Sequence, residues 1–515
     1  MTETAQKFLL SRDGLQAQQA SSRFGRFRRR GYQHFVLLLN FVDFSLLWKR
    51  RWFIIAMLLG FTLMAAPTPA GLTHDGQIVL CMSLIATILF MSEAVPLPTV
   101  PLMIIVGEVI LLHKDPTAVA QSLMTDSVLF IMGSLMLAVA VVKQRLDRRI
   151  AWWIVRLTGT NVYAISFGVT AVCGLMAAFI GEHTVAAMML PVGVTLITLT
   201  SDDPKKIRNL AAVLLFSIAY GCSIAGVATP SGGARNAIMI SYWKDFFYSA
   251  SDPTTKRYLM DYFHWALYAF PIFLLRLPLV PLMLMITFKP EMKDISRAIA
   301  RLRTQVSLQG PMRGGEWLTI LIFAITIVMW VGFSSKLGMG TIAIMGTVAF
   351  LVFGLVRWED INGGVNWGVV LLYAAAISLG VEMKNSGAAE WMAGTAMHGF
   401  TAIGATGPLG FNAAISIITI FVSNTMTAGA AVAVLAPIVL KTSVAAGHDP
   451  LQVGFVTAIS SAFGDMTAAA QPAFTIIYAS GFLKSADFFK IGWRMMILSF
   501  IILMCLTKFY WPVLQ

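Results

Sequence analysis

Apolar runs of about twenty residues follow one another along nearly the whole chain, and short polar or basic segments separate them. A helix of about that length crosses the hydrocarbon core of a bilayer, so the pattern predicts an all-α, polytopic membrane protein with about eleven transmembrane helices. The predicted spans lie at about 53–72, 77–94, 97–112, 127–143, 209–243, 261–287, 316–334, 339–356, 367–384, 451–483 and 488–510.

Two further stretches, about 240 residues apart, predict a helical hairpin that occurs twice. The first, at about 162–200, has the polar tip Gly181-Glu182-His183-Thr184, and the second, at about 403–441, has the tip Ser423-Asn424-Thr425. In both we expect apolar arms too short to cross a bilayer separately, so that each hairpin is re-entrant. Irregular backbone survives at membrane depth only where it lines protein or water.

Each hairpin is followed, about fifty residues later, by an apolar span that small residues and proline interrupt. These broken spans lie at about 209–243 and 451–483. Paired hairpins and broken spans are typical of an inverted-repeat transporter, whose binding site lies where they meet. We therefore predict a first repeat at 53–287 and a second at 316–515. Chance similarity between apolar sequences is the alternative explanation of the repeat.

The formal net charge is +13, yet charged residues make up only 12% of the 515 residues and hydrophobic residues 57%. Lys and Arg cluster in short segments beside the spans, which the positive-inside rule explains better than a nucleic-acid partner does. We therefore place a tail and interfacial helix at 1–52 and a linker at 288–315 on the cytoplasmic side. The N-terminus is then cytoplasmic and the C-terminus outside, in a multi-pass protein of the inner cell membrane and its lipid bilayer.

Little in the chain indicates an enzyme or a resident metal. His183 lacks the second histidine, four residues along a helix, that a zinc protease needs, and no Gly-x-Ser-x-Gly elbow is present. The four cysteines fall in apolar stretches without the spacing of a metal cluster or a disulfide framework. We expect no enzymatic activity and no cofactor, with Na⁺ the one metal ion to consider, as a coupling ion.

The second tip has the chemistry of a cation site. Ser423, Asn424 and Thr427 supply hydroxyl and amide oxygens, and the broken span contributes backbone carbonyls around Ala470 and Gln471. Unwound backbone of this kind coordinates Na⁺ in transporters. The alternative is that the hydroxyls bond carbonyls one turn back in their own helix.

Several motifs together resemble the divalent anion:sodium symporter family of di- and tricarboxylate transporters. They are Ser423-Asn424-Thr425 with Pro437, Ser92-Glu93-Ala94-Val95-Pro96-Leu97-Pro98, and Gly232-Gly233-Ala234-Arg235-Asn236 after Ile218–Ile224. The similarity runs from about residue 53 to 510. It implies a homodimer with an elevator mechanism, in which Ser-Asn-Thr tips bind substrate carboxylates and each tip with its neighbouring break holds sodium. Carried over residue by residue, it assigns substrate binding to Ser423, Asn424, Thr425 and Asn236, with Pro472 at the second break.

The chain departs from that family pattern at the first tip and at both breaks. Gly181-Glu182-His183 stands where the family has Ser-Asn-Thr, Ala234-Arg235 where it has prolines, and Ala473-Phe474 where it has Pro-Asn; Asp465 is an additional carboxylate. One hypothesis is that Glu182 and His183, with Asp465, bind a proton in place of sodium, while Arg235 meets a substrate carboxylate. The other is a fixed ion pair of Glu182 or Asp465 with Arg235.

The predicted function is secondary active transport of a small organic anion, a di- or tricarboxylate, coupled to Na⁺, to H⁺ or to both. Gly181 and Thr184 join Glu182, His183 and Arg235 as substrate-binding candidates because they flank the first tip. Two alternatives stay open: an anion exchanger without net cation coupling, and a transporter of a sulfate-like inorganic anion. A channel also fits the composition, but the duplicated hairpins favour alternating access.

Overall fold

The structure is a computed structural model that describes residues 51–96, 98–144, 159–201, 204–296, 299–300, 312–402, 404–405, 407–468 and 470–514. The predicted tail and interfacial helix at 1–52 lie outside the described residues except for Arg51 and Trp52. Part of the predicted linker at 288–315 is likewise outside them.

The described part of the chain folds into helices, apart from one isolated bridge between Asn161 and Asp294. The helices of the first half are α1 Arg51–Ala65, α2 His74–Ser92, α3 Thr99–Ile110, α4 Pro116–Ser122, α5 Asp126–Lys143, α6 Val162–Ile180, α7 Glu182–Thr200, α8 Arg208–Ala225, α9 Ala234–Phe247, α10 Tyr262–Arg276 and α11 Leu279–Phe288. Those of the second half are α12 Gly314–Leu337, α13 Met339–Val352, α14 Trp358–Gly364, α15 Trp367–Asn385, α16 Ala388–Ala402, α17 Pro408–Ser423, α18 Ala428–Ala445, α19 Pro450–Ser460, α20 Pro472–Tyr478, α21 Ser485–Cys505 and α22 Trp511–Leu514.

The described residues contain 10 helical stretches long and apolar enough to cross a membrane. The predicted spans at 127–143, 316–334 and 367–384 coincide with α5, α12 and α15 to within a few residues. The all-α, polytopic class predicted from the sequence is therefore confirmed. One further helix, α16, lies between α15 and the second hairpin, where the sequence analysis assigned no element.

The expected length of the hairpin arms was wrong for both arms of the first hairpin and for the second arm of the second, because α6, α7 and α18 are each long and apolar enough to cross a membrane. Both α6 and α7 have 19 residues, or about 28 Å at 1.5 Å per residue, which approaches the thickness of the hydrocarbon core. In the second hairpin α17 has 16 residues and α18 has 18. The second arms are long because Pro191 and Pro437 lie inside them and do not end them.

Each broken span consists of two helices with irregular backbone between them. In the first half α8 ends at Ala225, a short 3₁₀ turn covers Pro230–Gly232, and α9 follows. In the second half α19 runs into a 3₁₀ turn at Ser461–Phe463, and α20 begins only at Pro472. Both breaks leave backbone groups without helical partners, which other parts of the protein must satisfy.

The hairpins pack on the broken spans in the same way in both halves. The first arm α6 lies against α8, where the hydroxyls of Ser166 and Ser217 are 2.6 Å apart. The first arm α17 lies against α19, where those of Ser416 and Ser460 are 2.7 Å apart. The two halves also contact each other. Ser223 Oγ of α8 donates to the carbonyl of Ala462 in the second break at 3.4 Å.

A cluster of buried aromatic rings supports the two broken spans from behind. Trp243 of α9 and Trp265 of α10 each lie 4.9 Å from the ring of Phe455 in α19, centroid to centroid. Their indole N–H groups donate to the carbonyls of Pro450 at 3.0 Å and Val227 at 2.9 Å. Because both indole N–H groups are hydrogen-bonded, the two tryptophan rings fill the core without leaving an unpaired donor.

We expect Gly492→Ala to destabilise the second break by about 1–3 kcal/mol, because overpacked side chains force backbone to move. Gly492 of α21 lies against the backbone of Asp465, and a Cβ there would collide with that carbonyl. The measurement is the apparent melting temperature of the purified protein in detergent. Gly332→Ala is the matched control, since Gly332 has no neighbour within 4 Å of the added Cβ and alanine favours a helix by about 1 kcal/mol. Equal melting temperatures for the two variants would contradict the contact.

Candidate functional site

The first tip is a turn of a single residue between α6 and α7. Gly181 has φ +93, a region that glycine adopts without steric cost. Glu182, His183 and Thr184 form the first turn of α7. Glu182 is buried, whereas His183 and Thr184 are half-buried. The turn therefore directs one carboxylate into the protein and leaves two polar side chains partly accessible.

Glu182 forms a buried, two-point ion pair with Arg235. Its Oε1 accepts from Nη1 at 3.0 Å and its Oε2 from Nη2 at 3.2 Å, and the side chains are 4% and 2% exposed. Arg235 is the second residue of α9, directly after the first break. This is the geometry of the fixed pair, one of the two interpretations that the sequence left open. It also means that the Nη1 and Nη2 groups of Arg235 bond a carboxylate of the protein itself.

The backbone of the first break packs closely against this ion pair. A Cβ added at Gly226 would lie 2.6 Å from Arg235 Nη2 and 2.8 Å from Glu182 Oε2. The amide of Asn236 donates to the carbonyls of Gly226 at 2.8 Å and of Thr229 at 2.7 Å. Sequence reasoning did not single out Gly226, although a glycine inside a broken span was a signal for close packing.

The first break also binds the first hairpin directly. The hydroxyls of Thr229 and Ser231 both donate to the carbonyl of Ala178, the latter at 3.1 Å, and Ser231 lies 2.8 Å from the hydroxyl of Tyr262. Ala178 lies in the last turn of α6, whose final carbonyls have no helical donor. Break and tip therefore form one hydrogen-bonded unit.

At the second tip, Asn424 joins the hairpin to the second break. Its Nδ2 donates to the Ile420 carbonyl at 2.9 Å, and its Oδ1 accepts from the backbone N–H of Met466 at 3.0 Å. The hydroxyl of Thr467 donates to the Asn424 carbonyl at 3.1 Å. The hydroxyls of Ser423 and Thr425, by contrast, donate to carbonyls within α17 of the same hairpin. Their lone pairs stay available as acceptors.

The second break packs closely against the second tip and contains a buried polar side chain. Gly464 lies so close to Ser423 that an added Cβ would be 2.7 Å from the Ser423 carbonyl oxygen. Gln471 is fully buried; its Nε2 donates to the Ser461 carbonyl at 3.1 Å. Its Oε1 has no hydrogen-bond partner within the described part of the chain. Ala470 beside it is buried, Pro472 begins α20, and Thr427 begins α18 as its N-cap.

Asp465 has a different partner from the one that the sequence analysis considered. Its Oδ2 lies 3.4 Å from Nη2 of Arg276 in α10, and both side chains are fully buried. The guanidinium also lies over the ring of Phe463, 4.9 Å from the centroid. Asp465 Oδ1 and Arg276 Nη1 have no protein partner among the described residues. The pairing joins residues 189 apart in sequence, and no sequence pattern marks it.

A cavity of about 510 Å³ opens beside the first tip, among α5, α7, α14, α15 and α20. Its polar lining comes from Lys143, His183, Thr184, Asp360 and Asn366, and most of the remaining lining is apolar. Lys143 Nζ lies 2.5 Å from Asp360 Oδ1. Of the predicted substrate-binding residues, His183 and Thr184 line this cavity, whereas Arg235 and the second tip do not.

Helix α15 passes beside both tips. Its residue Val369 lines the cavity together with His183 and Thr184 of the first tip. The hydroxyl of Tyr373, one turn later in α15, would lie 2.5 Å from a Cβ on Gly429, in the first turn of α18 after the second tip. The structure therefore brings both tips to the same region of the protein.

Comparison with known proteins gives a family match over most of the chain. The family described as "Sodium:sulfate symporter transmembrane region" matches residues 45–515. A transporter of Haemophilus influenzae is 24% identical over 446 residues, covering 82% of this chain and 89% of its own. The sodium-dependent dicarboxylate transporter SdcS of Staphylococcus saprophyticus is 22% identical, with 86% and 88% covered. The sodium-dependent high-affinity dicarboxylate transporter 3 of Caenorhabditis elegans is 24% identical, with 80% and 79% covered.

One solved structure with a similar fold is that of MtrF of Neisseria gonorrhoeae, which represents a class of antimetabolite efflux pumps. The TM-score is 0.53 at 14% identity, covering 89% of this chain and 94% of that one. At this identity the likeness concerns the fold alone.

We expect the Glu182–Arg235 pair to show strong coupling in a double-mutant cycle. Glu182→Gln or Arg235→Met alone should cost about 3–5 kcal/mol, because each leaves a buried charge unpaired, whereas the double variant should cost less than the sum. Chemical unfolding or apparent melting temperature measures both.

The control is the exposed pair Arg208–Asp487, with an N–O distance of 3.0 Å and side chains 45% and 13% exposed. Its coupling energy should be about 0–1 kcal/mol. Additive effects at Glu182 and Arg235, like those at the surface pair, would show that the buried pair is not formed.

Proposed function

We propose that this chain, which belongs to the sodium:sulfate symporter family, couples the movement of Na⁺ to uptake of a small organic anion. The family consists of transporters and not of enzymes, and membership confirms the resemblance inferred from the sequence motifs. The named relatives in Staphylococcus saprophyticus and Caenorhabditis elegans are sodium-dependent dicarboxylate transporters. A dicarboxylate is therefore the substrate class that we propose for this protein.

The observation that carries the proposal is the link between the second tip and the second break through Asn424. Its amide oxygen and its carbonyl both bond to residues 466 and 467, so tip and break are held together. Gly464 of the second break lies against the Ser423 carbonyl, and the buried Gln471 Oε1 has no donor among the described residues. We propose that these oxygens, with Thr427 and the backbone of Ala470, bind Na⁺. A cation bound there stabilises the joined arrangement of tip and break.

For the organic anion we propose the cavity beside the first tip. Its volume of about 510 Å³ falls within the range of small-molecule sites. His183 and Thr184 provide donors for a carboxylate, and they lie at the N-terminal turn of α7, where the helix dipole favours negative charge. Arg235, Asn236, Gly181, Thr425 and Pro472 remain predicted substrate contacts.

The relatives bear on which cation is coupled. The named transporters of Staphylococcus saprophyticus and Caenorhabditis elegans are sodium-dependent. This supports sodium as the coupling ion. The homodimer, the elevator motion and the orientation of the termini stay predictions. Sulfate-like anions and exchange without cation coupling are the competing functions, and sulfate competition and counterflow assays separate them.

We expect Asn424→Ala to raise the Na⁺ concentration for half-maximal uptake about fivefold, because it removes the hydrogen bond of about 1 kcal/mol from the Met466 N–H to Asn424 Oδ1, which joins tip and break. The measurement is uptake of labelled succinate into proteoliposomes under an inward sodium gradient, with choline replacing sodium as the reference. Asn362→Ala, an exposed asparagine of α14, is the matched control. Uptake that is equal in sodium and choline would contradict sodium coupling.

We expect His183→Ala to raise the KM for the dicarboxylate several-fold while leaving the sodium dependence unchanged, because it removes one charge-directed hydrogen bond of about 1–2 kcal/mol in the cavity. His264→Ala is the control, since that side chain is 61% exposed and bonded to Asp261. An unchanged KM in the His183 variant would place the substrate elsewhere.

A further inference from the structure

Helix α3 buries a carboxyl group that the proposed function does not use. Glu108 is 1% exposed, and α3 supplies neither hairpin tip and none of the residues that line the cavity. The helix packs on α2, α4 and α15. Oε2 of Glu108 lies 2.8 Å from the hydroxyl of Ser378 in α15, and Oε1 has no hydrogen-bond partner in the described part of the chain.

A row of hydrogen-bonding groups, the hydroxyl row, runs from Glu108 through Ser378 and Ser122 to the carbonyl of Val119. The hydroxyls of Ser378 in α15 and Ser122 in α4 are 2.8 Å apart, and the Ser122 hydroxyl lies 2.7 Å from the Val119 oxygen. All of these distances are those of O–H···O hydrogen bonds. Val119 lies within the last four residues of α4, whose carbonyls have no donor in their own helix. The hydroxyl row therefore ends on an acceptor that Ser122 satisfies.

The hydroxyl row needs one proton more than its two hydroxyls hold. It contains three contacts, and each takes one proton. A serine hydroxyl carries one proton and a carbonyl carries none. When Ser122 donates to Val119, Ser378 must donate to Ser122, and the contact between Ser378 and Glu108 then takes its proton from the carboxyl group. An ionised Glu108 would leave one contact without a proton.

The charged groups around Glu108 do not pair with it. Lys114, in the loop after α3, lies 2.7 Å from Glu382 of α15 and is bound there. The elements packed on α3 carry further titratable side chains: His74, Asp75 and Cys81 in α2, Glu93 after it, His113 and Asp115 before α4, and Tyr373 and Lys384 in α15. None of them bonds Glu108, because Oε2 contacts Ser378 and Oε1 is unpartnered among the described residues. A carboxylate buried without a cation is so costly that such groups are found neutral instead.

We propose that Glu108 is a proton-binding site, in which the neutral acid donates a hydrogen bond to Ser378 and joins α3 to α15. The bound proton completes the hydroxyl row, and its loss places an unpaired charge between packed helices. Helix α15 also passes beside both hairpin tips, so the proton stabilises a helix of the candidate functional site. The site uses none of the residues assigned to the organic anion or to sodium, and it stands or falls apart from the proposed transport.

The first test is infrared spectroscopy of the full-length protein at neutral pH. The carbonyl stretch of a protonated carboxylic acid should be present in the wild type and should shift in deuterated water. The Glu108→Gln variant should lose this band, and other protonated carboxyl groups cancel in the difference between the two spectra. Glu359→Gln, at an exposed glutamate of α14, is the matched control and should keep the band. Equal spectra for the wild type and Glu108→Gln in this region would show that Glu108 is ionised.

The second test compares the melting temperatures at about pH 5.5 and about pH 7.5. A proton that the native state holds and the unfolded chain releases makes the folding equilibrium constant fall by up to about tenfold per pH unit as the pH rises. The wild type should therefore lose about 2 °C or more beyond any loss in Glu108→Gln, whose amide donates to Ser378 at every pH. Glu359→Gln should follow the wild type. Parallel changes in the wild type and Glu108→Gln would overturn the proposal.

A further variant decides the proposal if Glu108→Gln does not fold. Ser378→Ala removes the acceptor of the carboxyl proton and keeps Glu108. The carbonyl stretch of the acid should then move to a different frequency, because the hydrogen bond that it donates is lost. A wild-type spectrum without any carboxylic acid band, or a band that Ser378→Ala leaves unmoved, would overturn the proposal.

Discussion

Backbone that leaves a helix inside a membrane must find its hydrogen-bond partners within the protein, and this requirement organises the structure. Each unsatisfied group in hydrocarbon costs several kcal/mol. In the first half Asn236 bonds the carbonyls of the break; in the second, Asn424 bonds the N–H of Met466. One asparagine in each half thus stabilises an interruption, and the remaining helices pack around these two units.

The two halves use different forces for the same task. The first break is joined to the hairpin tip itself by the buried pair of Arg235 and Glu182, whereas at the second break Asp465 pairs with Arg276 of α10. A buried pair is rigid because removing either partner leaves an unpaired charge. The second tip is joined to its break by neutral contacts of Asn424. Neutral contacts of about 1 kcal/mol each are easier to open.

The sequence was most informative where polarity interrupts apolar runs. The turn at Gly181, the tip at Ser423–Asn424 and the helix starting at Pro472 were all visible as small or polar residues between apolar arms. Partners far apart in sequence were not visible. The contact between Glu182 and Arg235 stayed one of two interpretations, because spacing along the chain does not say which carboxylate a buried arginine meets.

Other features depended on tertiary context. Helix α16 was missed because Ala388–Ala402 is rich in small and polar residues and shows no clear apolar run. The second arms of both hairpins were longer than expected because Pro191 is tolerated within α7 and Pro437 within α18. The cavity beside His183 is formed by five helices from both halves, so no local pattern could reveal it.

A charge that is part of the chain does no work during a transport cycle. Each co-transported ion multiplies the attainable accumulation of substrate by its own concentration ratio, and a net charge that crosses the membrane adds about 2.3 kcal/mol per 100 mV. Arg235 and Glu182 belong to the chain and carry opposite charges, so this pair contributes no net charge to a transport cycle. Accumulation of substrate must therefore be driven by ions taken from the solution.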